Sequence, residues 1–277
     1  MPVAVGTAAA VDRDLAWDGG VIWWRALAAL VVSLALQVGV NYANDYSDGV
    51  RGTDGAARVG PVRLVGSGAV PARLVKRAAL ASFAVAGVAG TALAAAAGWW
   101  LVAVGVAAVG AAWLYTGGRR PYGYRGLGEL SVFVFFGLVA TAGSAYVQLE
   151  ELTGLAVAVA VPVGLLATAL LVANNLRDIP GDTASGKLTL AVRLGDRGTR
   201  LLYVALIAGA FIVVALIALT ARPFAALALV GAAPAIVPVR RVIRGARGRD
   251  LVDVLVMTST TQLLFGALFA TGLWLSG

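Results

Sequence analysis

The chain has 277 residues, of which 60% are hydrophobic and only 13% are charged, whereas an ordinary soluble domain is roughly 25% charged. This composition predicts an integral membrane protein, and we expect residues 1–277 to form a single transmembrane domain. The chain contains no Cys and no His, which excludes disulfides, thiolate chemistry and histidine-held metals, so a metal ion would be held mainly by oxygen, as Mg²⁺ is.

Seven stretches lack Asp, Glu, Lys and Arg: 26–44, 78–118, 130–149, 153–176, 201–221, 223–239 and 254–277. Because a membrane-spanning helix needs about 20 apolar residues, six of them predict one span each, the first beginning near Val21. The stretch 78–118 predicts two spans, divided near Gly98-Trp99-Trp100. The fold class is therefore all-α, a polytopic helix bundle with eight full spans.

The apolar lead, residues 1–10, is too short to cross a membrane and lacks the basic region and clear cleavage site of a signal peptide. We interpret it as the end of a shortened first helix. Most of the 22 Lys and Arg residues lie in four alternate loops, 51–77, 119–125, 177–200 and 240–249. The positive-inside rule places these loops in the cytoplasm. The net charge of +8 is thereby explained by topology, without a nucleic-acid partner.

The first predicted span runs directly into an acidic stretch, NYANDYSDGVRGTD, at residues 41–54. If the helix continues, Asn44 and Asp48 share one face, and Asp54 follows after a turn at Gly49 and Gly52. Carboxylates at a membrane edge are costly and are functional candidates by default. The alternative is that Asn44 caps the helix and the acids are solvated loop residues.

Two glycine-rich loops follow on the cytoplasmic side. The loop 60–68, GPVRLVGSG, contains Arg63 and suits an anionic ligand, although an ordinary connector has the same composition. The loop 115–130, YTGGRRPYGYRGLGEL, favours a flexible lid, or else an interfacial aromatic anchor. Glu129 begins the next span, either as a dipole partner of the helix N-terminus or as a catalyst.

A second acidic stretch ends a later span and repeats the pattern of the first. Asn174, Asp178 and Asp182 are spaced four and four and are followed by Lys187, which indicates a pseudo-repeat of the first stretch. Pro180-Gly181 predicts that the helix ends near Asp178 and leaves Asp182 on a turn.

Two facing groups of carboxylates repel each other unless a cation lies between them. Mg²⁺ binds one or two carboxylates together with substrate phosphates. Three basic residues lie close in sequence to the acids, Arg63, Arg177 and Lys187, and they indicate a diphosphate. The apolar bundle has room for a hydrocarbon tail, so the pattern favours an isoprenyl diphosphate.

The two acidic stretches, together with GPVRLVGSG and YTGGRRPYGYRGLGEL, resemble the UbiA-type intramembrane prenyltransferases over nearly the whole chain, and most of all their menaquinone-pathway branch. The resemblance implies a nine-helix bundle whose first helix is truncated here. It implies an enzyme in the cell membrane, with its active site on the cytoplasmic side. The implied reaction transfers a polyprenyl group from polyprenyl diphosphate to 1,4-dihydroxy-2-naphthoate, with loss of the carboxylate, to give demethylmenaquinone. From the residues alone, a hydroxybenzoate ring or a haem vinyl group remains possible as the acceptor.

The paired stretches also give a hypothesis for individual residues. The metal ligands are Asp48, Asp54, Asp178 and Asp182. Arg63, Arg177 and Lys187 bind the diphosphate, and Asn44 and Asn174 orient the acids or contact phosphate oxygens. Tyr115 and Tyr124 stabilise the allylic cation through their π faces. By the family spacing, Asn41 and Asp45 are expected to matter less.

Two other classes of protein compete with this hypothesis. CDP-alcohol phosphatidyltransferases also use membrane-edge aspartates, and residues 54–58, DGAAR, faintly mimic the start of their motif. No Asp between Asp54 and Asp178 completes that motif. A cation-coupled transporter also has repeats and intramembrane acids, but its acids would be expected nearer the middle of the membrane.

Overall fold

The computed structural model describes residues 1–12, 20–52 and 63–277, and every regular element in these ranges is helical. The helices are α1 (Pro2–Ala9), α2 (Trp23–Arg51), α3 (Ala72–Ala97), α4 (Trp100–Leu114), α5 (Gly128–Leu149), α6 (Gly154–Ala184), α7 (Leu190–Thr220), α8 (Pro223–Ile243) and α9 (Arg249–Ser276). The all-α fold class is confirmed. Asp54, a predicted metal ligand, lies outside the described residues.

The predicted eight full spans become seven plus one shorter helix. In the described ranges, seven helices are long and apolar enough to cross a membrane, whereas α4 has 15 residues. At 1.5 Å per residue α4 is about 22 Å long, less than the roughly 30 Å hydrocarbon core. The division near Gly98 is where the sequence predicted it, and Gly98 has a φ of 137°. Of the stretch 78–118, α3 takes residues 78–97 and α4 only residues 100–114, because α4 ends at Leu114 and not at the end of the stretch.

The chain forms two compact units. Unit 1 comprises Met1–Leu27, Glu129–Arg177 and Asp196–Gly277, and unit 2 comprises Ala28–Gly128 and Asp178–Gly195. The helices α2 and α6 each contribute residues to both units.

Unit 1 is built around the first part of α6, which is apolar on all sides and correspondingly buried. A helix that is hydrophobic all round belongs in an interior. Close backbone approach lets α5 pack against it: a Cβ added to Gly137 would lie 2.4 Å from the Cα of Gly164. The short helix α1 is largely buried and packs on α5 and α9. Residues 133–139 of α5 form a π-helical segment.

Unit 2 contains the rest of α2 together with α3, α4 and the segment 178–195. Gly39 of α2 lets the ring of Phe83 on α3 approach, since an added Cβ would lie 2.5 Å from that ring. Phe83 joins Ala43 and Ala79 in a buried apolar cluster. This cluster holds α2 and α3 together beneath the acidic stretch.

The end of α6 differs from the prediction. The helix continues through Pro180 and ends at Ala184, so Asp182 is helical and does not lie on a turn. The φ of proline is itself helical, so Pro180 removes one N–H donor without forcing a stop. The stop comes from Gly186, whose φ is +72°. Its N–H donates to the carbonyl oxygen of Thr183 at 3.1 Å, and the N–H of Lys187 donates to that of Asp182 at 2.8 Å, which is the Schellman arrangement of a helix C-terminus.

Candidate functional site

The acidic stretch of α2 remains helical as far as Arg51, so the prediction that Asn44 and Asp48 share one helix face is confirmed. Asp48 is buried, with 6% of its surface exposed. The hydroxyl of Thr116 donates to Oδ1 of Asn44 at 2.8 Å. The amide side chain of Asn44 therefore contacts the segment 115–130, which follows α4, and it does not cap the end of its own helix.

Asp48 is the centre of a compact polar group. The hydroxyl of Tyr124 donates to its Oδ1, and the ammonium of Lys187 lies 3.4 Å from the same oxygen. The Nζ of Lys187 also lies 4.5 Å from the centroid of the Tyr124 ring. This distance is within the range of a cation–π contact, so the phenol holds both the carboxylate and the ammonium. The side chains of Asp48 and Lys187 are 8% and 11% exposed, so this ion pair is much less screened by solvent and salt than a surface pair.

The second acidic stretch also belongs to the polar group around Asp48, because the Schellman turn places Lys187 directly after this stretch. Asp182 interacts electrostatically with Lys187, Asp178 and Asp48, and its Oδ2 accepts a 3.4 Å hydrogen bond from the hydroxyl of Thr189. Asp48 and Asp182, one from each acidic stretch, thus lie within electrostatic range of one ammonium group in unit 2. Asp182 also lies within electrostatic range of two other predicted metal ligands, Asp178 and Asp48, and the fourth, Asp54, lies outside the described residues.

These acids do not form a metal cage by themselves. Within residues 1–12, 20–52 and 63–277, no three Asp or Glu side chains are close enough together to hold a metal ion. Mg²⁺ seldom needs such a cage, because it keeps several waters and binds through one or two carboxylates and substrate phosphates. The all-oxygen donors Asp48, Asp178 and Asp182 fit Mg²⁺ that is shared with a phosphate.

Arg63 lies at the start of the described part of its loop. The two following backbone amides are already occupied: those of Leu64 and Val65 donate to the carboxylate of Asp45 at 2.9 and 3.0 Å. The sequence predicted that this loop suits an anionic ligand. For the amides of Leu64 and Val65 that prediction is wrong, because they already donate to the carboxylate of Asp45. Sequence reasoning missed this role, and only the position of Asp45 beside Asn44 on the helix could have suggested it.

The segment 115–130 is held at several points and does not form an open lid. The guanidinium of Arg51 donates to the carbonyl oxygens of Thr116 and Gly118 and lies 5.5 Å from the centroid of the Tyr124 ring. The N–H of Leu188 donates to the carbonyl oxygen of Tyr124 at 2.9 Å. Sequence reasoning also missed Arg51, because no motif spacing distinguishes it from a topology-setting base.

Tyr115 packs against other residues of this segment. Its ring meets that of Tyr122 edge-on, with centroids 5.5 Å apart. A Cβ added to Gly128 would lie 2.9 Å from the Tyr115 hydroxyl, so Tyr115 fills the interior of the segment. The two tyrosines that the sequence treats alike therefore have different surroundings.

The remaining predicted residues belong to unit 1. Arg177 is buried, and its guanidinium donates to Oδ1 of Asn174 at 2.9 Å. On the same helix, Asn175 donates to the buried carboxylate of Glu129 at 2.9 Å. Glu129 is therefore paired with a side-chain amide, in addition to lying in the first turn of α5.

Comparison with known proteins is consistent with this arrangement. Residues 1–259 match the model of the UbiA prenyltransferase family. The chain is 49% identical to the 1,4-dihydroxy-2-naphthoate octaprenyltransferase of Mycobacterium tuberculosis, covering 98% of this chain and 91% of that protein. It is 38% identical to the protein of the same name from Escherichia coli, covering 92% and 87%.

Solved structures share the fold at much lower identity. A UbiA homolog from Aeropyrum pernix has a TM-score of 0.73 at 17% identity, covering 98% of this chain and 95% of that one. A UbiA homolog from Archaeoglobus fulgidus, solved bound to DMAPP and Mg²⁺, has a TM-score of 0.57 at 14% identity, covering 97% and 93%. By its family match and its full-length relatives, this chain is a membrane enzyme that transfers prenyl groups and belongs to the UbiA prenyltransferase family.

Proposed function

We propose that this protein transfers a polyprenyl group from polyprenyl diphosphate to 1,4-dihydroxy-2-naphthoate in the cell membrane, with Mg²⁺ as cofactor. The observation that carries the proposal is the ion pair between the first acidic stretch and the base that follows the second: the ammonium of Lys187 lies 3.4 Å from Oδ1 of the buried Asp48. The names of the relatives from M. tuberculosis and E. coli support the naphthoate acceptor. The DMAPP and Mg²⁺ bound by the A. fulgidus homolog support the diphosphate and the metal.

In the proposed mechanism, Asp48, Asp178 and Asp182 would hold the metal, with Asp54 as the further ligand that the sequence predicts. When bound there, Mg²⁺ would supply positive charge to stabilise the departing diphosphate. Lys187 and Arg63 would add charge at the same diphosphate, and Asn44 would orient Asp48. Arg177 and Asn174, which the sequence predicts in the same roles, lie in unit 1. The residues act by placing fixed charge where negative charge develops, which is the largest contribution in many enzymes.

The reaction breaks the bond between the prenyl carbon and the diphosphate oxygen, and the electron pair leaves with the diphosphate. A new carbon–carbon bond forms to the naphthoate ring, which loses its carboxylate as CO₂. The product is demethylmenaquinone in its reduced form. Because the apolar helices keep water from the allylic cation, the ring and not water captures it.

The position of the acids favours an active site on the cytoplasmic side. Asp48 lies in the last turn of α2, and Asp182 lies in the last turn of α6. The basic loops 51–77 and 177–200 follow these helix ends, and basic loops are retained in the cytoplasm.

Purified protein tests the proposal directly. With Mg²⁺, 1,4-dihydroxy-2-naphthoate and a polyprenyl diphosphate, mass spectrometry should detect the prenylated product, and 4-hydroxybenzoate as acceptor should give little. Asp48→Ala should lower kcat/KM by at least about a hundredfold, because a metal ligand is removed. Full activity of Asp48→Ala would rule out the metal role, and prenylation of hydroxybenzoate alone would rule out the naphthoate.

A further inference from the structure

Asp45 is a buried carboxylate that the proposed mechanism does not use. It is 6% exposed and lies on α2 between Asn44 and Asp48. Its Oδ2 accepts the N–H of Leu64 at 2.9 Å, and its Oδ1 accepts the N–H of Val65 at 3.0 Å. A buried carboxylate is unfavourable unless it is paired, and two charge-assisted bonds to backbone amides provide that pairing.

One helical turn later, Gly49 brings the same loop close to the same face of α2. A Cβ added to Gly49 would lie 2.5 Å from both Cβ and Cγ1 of Val65 and 3.1 Å from the N of Gly66. No real Cβ tolerates such distances, so a side chain at position 49 would push the loop away from the helix. Asp45 and Gly49 together form a seat for residues 64–66.

The loop passes this constraint on to Arg63. The N–H of Ser67 donates to the carbonyl oxygen of Arg63 at 3.0 Å, and the N–H of Val70 donates to that of Leu64, also at 3.0 Å. Because these bonds close the loop on itself, fixing Leu64 and Val65 also fixes the backbone of Arg63 relative to α2.

We propose that Asp45 is a positioning residue: through its hydrogen bonds to the amides of Leu64 and Val65, it places Arg63 to bind the diphosphate of the prenyl donor, and it does not bind the metal. The inference rests on the proposed function, because Arg63 is taken as a diphosphate ligand. Both oxygens of Asp45 are engaged by backbone donors, whereas Asp48 contacts a phenol and an ammonium. Neighbouring acids of one motif thus have separate tasks.

Three single variants separate positioning from metal binding. Asp45→Asn replaces one acceptor by a donor and so loses at least one amide bond. Gly49→Ala displaces the loop without changing any charge. Asn41→Ala is the matched control on the same helix, since Asn41 is exposed and its side chain bonds only to the carbonyl oxygen of Gln37 among the contacts seen.

Three measurements are made on the full-length protein in detergent: hydrogen exchange of the peptide 63–70, the KM for the prenyl diphosphate, and the Mg²⁺ concentration for half-maximal activity. Asp45→Asn and Gly49→Ala should both speed exchange in this peptide and raise the KM about tenfold, as expected when one charge-assisted hydrogen bond is lost. The Mg²⁺ requirement should stay within about twofold of wild type, and Asn41→Ala should match wild type throughout.

An Asp45→Asn variant with an altered Mg²⁺ requirement and unchanged exchange would overturn the proposal in favour of a metal ligand. A Gly49→Ala variant with wild-type KM would overturn it as well. If wild-type protein shows no prenyl transfer, the proposed function fails, whereas the exchange measurement still decides whether Asp45 holds the loop.

Discussion

At the scale of single residues, Tyr124 links the two acidic stretches. Its hydroxyl donates to Asp48, and its ring contacts the ammonium of Lys187. The sequence suggested that this ring stabilises the allylic cation, but an ammonium already lies 4.5 Å from the ring centroid. We therefore expect Tyr124 to act mainly by orienting Asp48.

Tyr124→Phe should raise the Mg²⁺ concentration for half-maximal activity about tenfold, because residues that orient a metal ligand typically contribute that much to metal affinity. At saturating Mg²⁺ its kcat should recover to within about threefold of wild type, since the ring is retained. A Mg²⁺ titration of initial rates measures both quantities. A fall in kcat that Mg²⁺ does not reverse would instead indicate direct action on the cation.

The sequence predicted the acids that are proposed for this site, but it did not predict the residues that support them. The spacing of Asn44 and Asp48 implied a shared helix face, and the helix extends to Arg51. The tasks of Asp45 and Arg51 depend on backbone groups of loops that are distant along the chain. No residue pattern encodes such contacts, because any loop has amides and carbonyls to offer.

At the scale of elements, the end of α6 determines where Lys187 lies. Pro180 was expected to stop the helix, but the observed stop is the left-handed Gly186, with φ of +72°. The Schellman turn then directs the chain back, so that Lys187 lies within electrostatic range of Asp182 and 3.4 Å from Asp48 of α2. The sequence signal was present in Gly186, and Pro180, between Asp178 and Asp182, outweighed it in the prediction.

Gly186→Ala should destabilise the protein by about 1 kcal/mol, because a left-handed backbone conformation is unfavourable by that amount for alanine. No atom lies within 4 Å of the added Cβ, so backbone strain is the only cost. The KM for the prenyl diphosphate should rise as Lys187 is displaced. Thermal unfolding in detergent and steady-state kinetics measure the two effects.

Gly181→Ala is the control for this prediction. Gly181 is also free of neighbours within 4 Å, but it lies inside α6, where alanine is the better helix former. It should leave the KM unchanged and should not lower the melting temperature. Equal destabilisation by both substitutions would contradict a special role for the turn.

At the scale of the whole molecule, the distribution of Lys and Arg between the loops predicts the membrane topology. Hydropathy predicted the spans well, and seven long apolar helices are present in the described ranges. It overestimated α4, because the uncharged stretch continues to Gly118 whereas the helix ends at Leu114. It also gave no sign of the two compact units, which depend on contacts between distant segments.

The chain contains no cysteine, so a single introduced cysteine can report the orientation of this protein in the membrane without labelling elsewhere in the chain. Ala184 and Glu151 are both exposed, and the positive-inside rule puts them on opposite sides of the membrane. In intact cells, a membrane-impermeant maleimide should label Glu151→Cys but not Ala184→Cys. Opening the cells should make Ala184→Cys reactive. The reverse pattern would place the acidic stretches outside the cytoplasm.

The most direct test of the central claim uses 1,4-dihydroxy-2-naphthoate labelled in its carboxyl carbon. Purified protein, polyprenyl diphosphate and Mg²⁺ should release one labelled CO₂ for each prenylated naphthol formed, and chelation of Mg²⁺ should stop both. A product that keeps the labelled carboxyl group, or equal turnover without a divalent metal, would contradict the proposed reaction.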